Sequence, residues 1–328
     1  MNVRYGSLEQ LGFGQPELDI HANASRWNGL GAGKTAVITG ANAGLGFFTS
    51  LGLAAAGAHV VLACRNQARA QKAMEQILAR VPSASLEFMQ FDADSTISAM
   101  ALAAELRTRT IDVLVANAGM IHTPAERQPG LFGYEAVMST NVIGHARLIG
   151  ELVEQFRSHP LRLIGLGSMS TLMLRADPQN LKLEHGYNPY RAYAQSKAAL
   201  QALTIALDHR LRQLSWPSRS IAVHPGYSVS GLSPNIEGIN EPDFAKRLGG
   251  RLQAGFAQGK HQGAVAIVEA ALNPGIQGCA PGAYLGPQYT SKGRITLASP
   301  AKVTRGKALQ DEVFKLFTAA NEGLDPFA

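Results

Sequence analysis

Residues 35–46 read TAVITGANAGLG, and this stretch decides the fold. Its first five residues are a short run rich in β-branched side chains, which predicts a buried strand. A glycine-containing turn follows, and the Ala/Leu-rich sequence through Ala56 predicts a helix. Because the first N–H groups of a helix have no backbone partner, a helix that opens directly after such a turn offers a site for phosphate.

The three glycines of this turn have different expected roles. Gly40 permits the tight turn, Gly44 lets the backbone approach a pyrophosphate, and Gly46 allows the helix to pack closely on the strand. Glycines in such turns are also common for purely structural reasons. The loop alone therefore favours a dinucleotide site without deciding it.

The alternation of strand and helix continues along the chain. Further strands are predicted at 59–64, 86–91, 111–116, 161–166 and 221–224, and further helices at 67–80, 95–109, 133–157 and 191–214. This order predicts an α/β fold with a Rossmann-type, doubly wound parallel sheet in a single domain. We expect the domain to cover 34–328, after an N-terminal extension over 1–33.

Composition excludes several classes of protein. The 328 residues are 46% hydrophobic and 16% charged, which argues against disorder. The net charge of +6 is not gathered into a basic run, so nucleic-acid binding is not expected. Cys64 and Cys279 form no metal-binding or disulfide pattern, and no signal peptide or membrane-spanning run is recognisable. We expect a cytoplasmic protein without a metal.

Tyr193 and Lys197 form a YxxxK pair, which places both side chains on one helix face. Hydride transfer to a carbonyl leaves an alkoxide that must receive a proton. A neighbouring cation stabilises a tyrosinate, so we expect Lys197 to lower the pKa of Tyr193. A structural pair on a solvated helix face is the alternative. Of the eight tyrosines, only Tyr193 has a lysine four residues later.

Ser168 ends the fifth predicted strand. Its hydroxyl can donate to a substrate oxygen and stabilise the charge that develops there. Ser170 is a nearby competitor, and serines at such positions are often helix caps. Ser168 is the favoured candidate.

The pattern TGxxxGxG at 39–46, followed by Ser168 and YxxxK, resembles the short-chain dehydrogenase/reductase family. The separation of 25 positions from Ser168 to Tyr193 resembles its retinol-dehydrogenase-like branch, as do the stretches HVVLACRN at 59–66, HPGY at 224–227 and GAYLGP at 282–287. The resemblance implies a nicotinamide cofactor and interconversion of a ketone or aldehyde with an alcohol on a moderately apolar small molecule.

The resemblance also implies a set of cofactor contacts. Besides the three glycines, Tyr193 and Lys197, they are expected from Asn42, Ala43, Leu45, Arg65, Asn66, Asp92, Ala93, Asn117, Ala118, Gly119, Pro225, Gly226, Ser228 and Ser230. Asn141 resembles a fourth catalytic residue, whose amide can hold a water that connects Lys197 to solvent. A buried structural asparagine is the alternative.

Arg65 bears on the choice of cofactor. An acidic residue at the end of the second strand would accept hydrogen bonds from the ribose hydroxyls, whereas a guanidinium pairs with a 2′-phosphate. NADP(H) is therefore favoured. NAD(H) is possible, because Ala43 stands where NADP-preferring relatives often carry a second basic residue. Arg65 as a merely solvated residue is the alternative.

Residues 231–258 are expected to form a substrate lid. Within it, Phe244, Leu248, Leu252 and Phe256 recur every four residues, and ordinary packing is favoured over contact with an apolar substrate. The protein is expected to be a monomer or a homodimer. Relatives often dimerise through the helices that carry Asn141 and Tyr193, but the long segment between Ser168 and Tyr193 has the length to cover that face.

Two other functions compete with the leading one. The first is an NAD(H)-dependent alcohol or hydroxysteroid-type dehydrogenase. The second is a non-catalytic sensor that binds the dinucleotide and regulates a partner. Sensors of this kind typically lack the Tyr or the Lys, and here both positions are filled.

Overall fold

The structure is a computed structural model that describes residues 26–121 and 123–328. Residues 1–25, the larger part of the predicted N-terminal extension, lie outside the described residues.

The described chain forms one central sheet and a small two-stranded sheet. The strands are β1 (Thr35–Thr39), β2 (His59–Cys64), β3 (Ser85–Gln90), β4 (Val113–Ala116), β5 (Arg162–Leu166), β6 (Arg219–Val223), β7 (Ser228–Val229), β8 (Gln258–Gly259), β9 (Tyr284–Pro287) and β10 (Ile295–Leu297). The central order is β3-β2-β1-β4-β5-β6-β9-β10, and β7 pairs with β8. Within the central sheet only the β9–β10 pair is antiparallel among the described strands. The prediction of a Rossmann-type sheet is confirmed.

Helices cover both faces of the sheet. They are α1 (Gly44–Ala55), α2 (Gln67–Leu78), α3 (Thr96–Leu106), α4 (Ala136–Met138), α5 (Gly144–Glu151), α6 (Val153–Ser158), α7 (Ser170–Met173), α8 (Pro189–Gln213), α9 (Phe244–Gln253), α10 (Lys260–Leu272), α11 (Lys302–Arg305) and α12 (Lys307–Ala320). Alternate residues of β1 enter opposite apolar layers: Val37 packs in one, and Ala36 and Ile38 in the other. A strand buried on both faces reads as a continuous apolar run, as observed in the sequence.

The helix predicted over 133–157 is not continuous. It divides into α4, α5 and α6, with a π-helical turn at Ser139–Ile143 between the first two. At the start of α5, a Cβ on Gly144 would clash with the carbonyl oxygen of Ala93. Asn141 lies within this π-helical turn, which is wider than an α-helical turn. Such turns occur frequently at functional sites.

Strands β9 and β10 extend the sheet beyond the predicted six. They are short, and β10 is partly exposed, so neither has the long apolar run that marks a buried strand. The ends of the predicted strands are shifted by one or two residues, which is the usual uncertainty of element boundaries.

The C-terminal helix α12 covers the face formed by α5 and α8. Leu309, Val313, Leu316 and Phe317 are buried in the same apolar layer as side chains of those two helices. At its end, Arg147 of α5 donates to the carbonyl oxygen of Ala320. The face formed by α5 and α8 is therefore covered by α12, in addition to the segment between Ser168 and Tyr193 that was expected to have the length to cover it.

A buried ion pair joins α8 to β6. The Arg219 guanidinium donates to both carboxylate oxygens of Asp208, at 2.8 and 3.0 Å, and both side chains are fully buried. Arg219 also donates to the carbonyl oxygen of Ile276, and Asp208 accepts the N–H groups of Ser220 and Gly282. The pair thereby links the helix that carries Tyr193 and Lys197 to the sheet.

We predict that Asp208→Asn lowers the free energy of unfolding by about 3–5 kcal/mol, because it leaves the Arg219 charge buried without its counter-charge. Urea denaturation of the two proteins measures the difference. The matched control is Asp311→Asn on α12, whose carboxylate pairs with Lys307 at the surface. That control should change stability little; equal effects of the two substitutions would contradict the assignment.

Candidate active site

The candidate site lies at the carboxyl ends of the parallel strands. The loops after β1, β4, β5 and β6 all leave the sheet at this edge. Open α/β sheets bind their ligands there, where the strand order reverses between β1 and β4.

The glycine loop has the geometry that its sequence predicts. Gly40 has a φ of +64°, and a Cβ there would lie 2.9 Å from Cα of Ala118. A Cβ on Gly46 would clash with the carbonyl oxygen of Gly40, so only glycine permits this packing of α1. The N-cap of α1, Ala43, provides no side-chain hydrogen bond, and its first turn has no acidic residue. The N–H groups that open α1 are thus free to bind an anion.

Thr39 fastens this loop to the one after β4. Its hydroxyl accepts the N–H groups of Asn117 and Ala118, each at 2.9 Å. In the other direction, the Asn117 amide donates to the carbonyl oxygen of Thr39 at 2.7 Å. A Cβ on Gly119 would lie 3.6 Å from Nζ of Lys197. The Asn117-Ala118-Gly119 segment therefore connects the glycine loop to Lys197.

The end of β2 presents Arg65 to solvent and turns Cys64 inward. Burial raises the pKa of the Cys64 thiol to about 11, although hydrogen bonds from the Ala41 and Asn42 backbone oppose this. The Arg65 side chain is 75% exposed and lies 4.0 Å from the Asp92 carboxylate. Such an exposed pair is weak, so the guanidinium is available to another anion.

Two neighbours of Arg65 are engaged in the fold itself. The Asn66 side chain accepts the N–H of Arg69 and caps α2. Ala93 is buried in the apolar layer with its carbonyl oxygen against Gly144. The side chains of Asn66 and Ala93 thus have structural contacts, and the cofactor contacts expected of these two residues stay predictions.

Tyr193, Ser168 and Lys197 converge at the end of β5. The Ser168 hydroxyl lies close enough to the Tyr193 phenol to act on its pKa, which it lowers. The ammonium of Lys197 is buried and donates to the carbonyl oxygen of Leu166 at 3.3 Å. The competitor Ser170 lies buried at the start of α7, and its Oγ has no hydrogen-bond partner among the described residues. The geometry therefore favours Ser168 over Ser170.

The pKa values at this site run against one expectation. Burial raises the pKa of Tyr193 above its ordinary value, the Ser168 hydroxyl opposes this, and Tyr190 adds to the rise. Burial lowers the pKa of Lys197 to about 8. The predicted net lowering of the Tyr193 pKa is thus wrong for this structure, because desolvation of the phenolate outweighs the Ser168 contact that lowers the pKa.

Asn141 lies beside the lysine but uses its amide for structure. Its Oδ1 accepts the N–H of Met120 at 2.6 Å, and its Nδ2 donates to the carbonyl oxygen of Met120 and to Oγ of Ser196. The amide nitrogen has no further N–H to offer. These contacts match the structural alternative, and the water-holding role stays a prediction.

His145 was not singled out from the sequence, although it follows Asn141 by one helical turn. Its two ring nitrogens lie 2.9 Å from Oγ1 of Thr39 and 3.2 Å from the carbonyl oxygen of Asn141. Burial lowers its pKa to about 4, so the ring is neutral near pH 7. A neutral ring with one donor and one acceptor suits a spacer between the glycine loop and the catalytic helices.

The turn after β6 closes the site on its other side. Gly226 has a φ of +67°, and the carbonyl oxygen of Pro225 accepts hydrogen bonds from Ser228 and Gln258, each at 2.7 Å. Ser230 begins a short 3₁₀ turn. The hydroxyl of Ser228 is thus held by the turn itself, and the cofactor contact expected of it stays a prediction.

The apolar stripe of the predicted lid is exposed. The relative exposure of its side chains is 49% for Phe244, 36% for Leu248, 78% for Leu252 and 54% for Phe256. Ordinary packing against the domain is therefore the wrong interpretation. Phe256 stacks on Tyr227, with ring centroids 5.7 Å apart.

The described residues contain neither a candidate metal site nor a candidate membrane span. No group of three or more His, Cys, Asp or Glu side chains there is placed to hold a metal ion. No described helix combines the length and the apolar character needed to cross a bilayer.

Comparisons with known proteins agree with this geometry. A family model described as short chain dehydrogenase matches residues 34–237. Retinol dehydrogenase 14 of Mus musculus is 30% identical over 79% of this chain and 79% of its own length. Polyprenol dehydrogenase of Mus musculus is 31% identical over 77% of this chain and 75% of its own. Retinol dehydrogenase 13 of Homo sapiens is 31% identical, and the match spans 64% of its length.

Solved structures share the fold. An uncharacterised protein from Mycobacterium paratuberculosis superposes with a TM-score of 0.72 at 26% identity, over 91% of this chain and 97% of its own. A structure from Beutenbergia cavernae, described as an NAD(P)-dependent gluconate 5-dehydrogenase with bound NADP, has a TM-score of 0.56 at 26% identity, over 78% of this chain and 95% of its own.

The family match, the order of the strands and the position of Tyr193 beside Ser168 and Lys197 agree with one another. The chain belongs to the short-chain dehydrogenase/reductase family, whose enzymes act on alcohol and carbonyl groups with NAD(P) cofactors, and to its retinol-dehydrogenase-like branch.

Proposed function

We propose that the protein is an NADP(H)-dependent oxidoreductase that interconverts a ketone or aldehyde with an alcohol on a moderately apolar small molecule. The observation that carries the proposal is the convergence of the Tyr193 phenol, the Ser168 hydroxyl and the Lys197 ammonium at the end of β5. The glycine loop fits a dinucleotide because α1 opens without a side-chain cap or an acidic residue.

The bound nicotinamide supplies or accepts the hydride. In reduction, Tyr193 donates its proton to the oxygen of the substrate, and its raised pKa keeps that proton in place at neutral pH. Ser168 donates a hydrogen bond to the same oxygen and stabilises the charge that develops on it. Lys197 places a buried positive charge one helical turn from the phenol and favours the tyrosinate that remains.

The choice of NADP(H) is supported by the position of Arg65. Its guanidinium stands at the end of β2, mostly exposed and only weakly paired with Asp92. No acidic side chain occupies the end of this strand, where one would repel a 2′-phosphate, because Cys64 holds the position and turns inward. Both features favour a phosphorylated ribose.

An apolar substrate is supported by the lid. The exposed stripe on α9 and the stacked pair Tyr227 and Phe256 follow directly on the turn that closes the site. The relatives named for retinol and polyprenol act, by their names, on apolar alcohols. We infer that the substrate is an apolar alcohol or carbonyl compound. We also infer that the protein is cytoplasmic.

We expect Tyr193→Phe to lower kcat for carbonyl reduction by at least about 10²-fold, because the substrate oxygen loses its proton donor. Turnover of a panel of apolar ketones and aldehydes with NADPH measures this, and binding of NADPH should persist. As the control, Tyr289→Phe removes a phenol that is 72% exposed and should leave kcat unchanged.

Full activity of Tyr193→Phe would refute the mechanism. Binding of NADPH by the wild-type protein without turnover of any alcohol or carbonyl compound would favour the non-catalytic sensor instead.

The rate of reduction should fall as the pH rises through about 8. The pKa of Lys197 is lowered to about 8, so above that pH the ammonium loses its charge. The pKa of Tyr193 lies above its ordinary value, so the phenol keeps its proton over the same range. The measurement is kcat/KM with NADPH between about pH 6 and pH 10. A profile that stays flat to the alkaline end would show that Lys197 does not act through its charge.

Arg65→Ala should raise the Kd for NADPH by about tenfold or more and leave the Kd for NADH nearly unchanged, because only NADPH carries the 2′-phosphate. Isothermal titration with both nucleotides gives the two values. Arg69→Ala, in the first turn of α2, removes a nearby exposed guanidinium and serves as the control. Equal losses for the two nucleotides would refute the choice of cofactor.

A further inference from the structure

Lys260 has no role in the site described above, yet its side chain lies over the glycine loop. It is the first residue of α10, far along the chain from α1. A Cβ placed on Gly44 would lie 3.7 Å from Nζ of Lys260 and 3.8 Å from its Cδ. The ammonium thus lies beside the first residue of α1, at the N-terminus of that helix.

This ammonium has no anionic partner within the described part of the chain. Lys260 forms a hydrogen bond there through its backbone N–H, which donates to Oγ of Ser233 at 2.8 Å, and no described carboxylate pairs with it. Burial lowers the pKa of Lys260, and the charge of a second cation, Lys246, lowers it further. A partly buried cation beside another cation is costly unless an anion joins them.

The position of Lys260 is set by packing. Gln262 caps the N-terminal turn of α10: its amide oxygen accepts the N–H of Gly259 at 2.9 Å. A Cβ on Gly263 would lie 3.1 Å from the Leu45 side chain and would clash with Oγ of Ser228. Helix α10 therefore packs closely against the glycine loop and the turn after β6. This packing fixes the backbone of Lys260 beside the loop.

Two phosphate groups of a dinucleotide are possible partners for this cation. The pyrophosphate of such a cofactor lies at the N-terminus of the helix after the glycine loop, and the 2′-phosphate lies at the end of the second strand. Lys260 stands over Gly44, the first residue of α1, whereas Arg65 stands at the end of β2. The geometry favours the pyrophosphate.

We propose that Lys260 binds the cofactor pyrophosphate from the side opposite α1, so that the phosphates lie between its ammonium and the uncapped N–H groups of that helix. The proposal rests on the proposed use of a dinucleotide cofactor. Because Lys260 directly follows β8, binding would also fasten the C-terminal end of the lid segment 231–258 to the cofactor.

The test is the Kd of three ligands for Lys260→Met, measured by isothermal titration. The ligands are NADPH, NADH and ADP-ribose, which all carry a pyrophosphate, while only NADPH carries a 2′-phosphate. We expect all three Kd values to rise by a similar factor, about tenfold or more. Lys260→Arg, which keeps the charge, should recover most of the affinity.

The control is Lys315→Met, which removes an exposed ammonium on α12 and should leave all three affinities unchanged. Thermal unfolding without ligand checks that each variant is folded. Unchanged affinities for a folded Lys260→Met would overturn the proposal, and a loss confined to NADPH would overturn it by assigning the cation to the 2′-phosphate. If the wild-type protein binds none of the three ligands, the proposed function itself fails.

Discussion

The ion pair of Asp208 and Arg219 is the interaction on which the placement of α8, the helix that carries Tyr193 and Lys197, depends. It is fully buried, and its two side chains bond to backbone groups of β6 and of the segment that leads into β9. Because a buried charge needs every partner in place, the pair admits one register of α8 on the sheet. That register brings Tyr193 to Ser168 and the Lys197 ammonium to the carbonyl oxygen of Leu166.

The chemistry of the site depends on positively charged groups and N–H donors that have no close anionic partner. At the carboxyl edge of the sheet, Lys197 is buried with a backbone carbonyl as its partner, and Arg65 has a carboxylate only at 4.0 Å. The glycine loop adds the unpaired N–H groups of α1. An edge of this kind favours an anionic ligand, and burial at the same place raises the pKa of Tyr193, which keeps the phenol protonated near neutral pH.

The sequence predicted those parts of the protein that depend on local pattern. The β1 strand, the glycine loop and the YxxxK helix were all located correctly, because each has a run or spacing that local physics explains. The π-helical turn at Asn141 and the uses of its amide depend on Met120 and Ser196, which are distant in the chain. The raised pKa of Tyr193 and the exposed stripe on α9 depend on burial, which periodicity does not report.

The most direct test of the central claim is hydride transfer itself. The protein would be incubated with NADPH carrying deuterium at the reactive carbon, on each face in turn, and with a panel of apolar ketones and aldehydes, and the alcohols analysed by mass spectrometry. We predict that deuterium from one face appears on the former carbonyl carbon of at least one product. Tight binding of NADPH without deuterium in any product would contradict the claim that this site is catalytic.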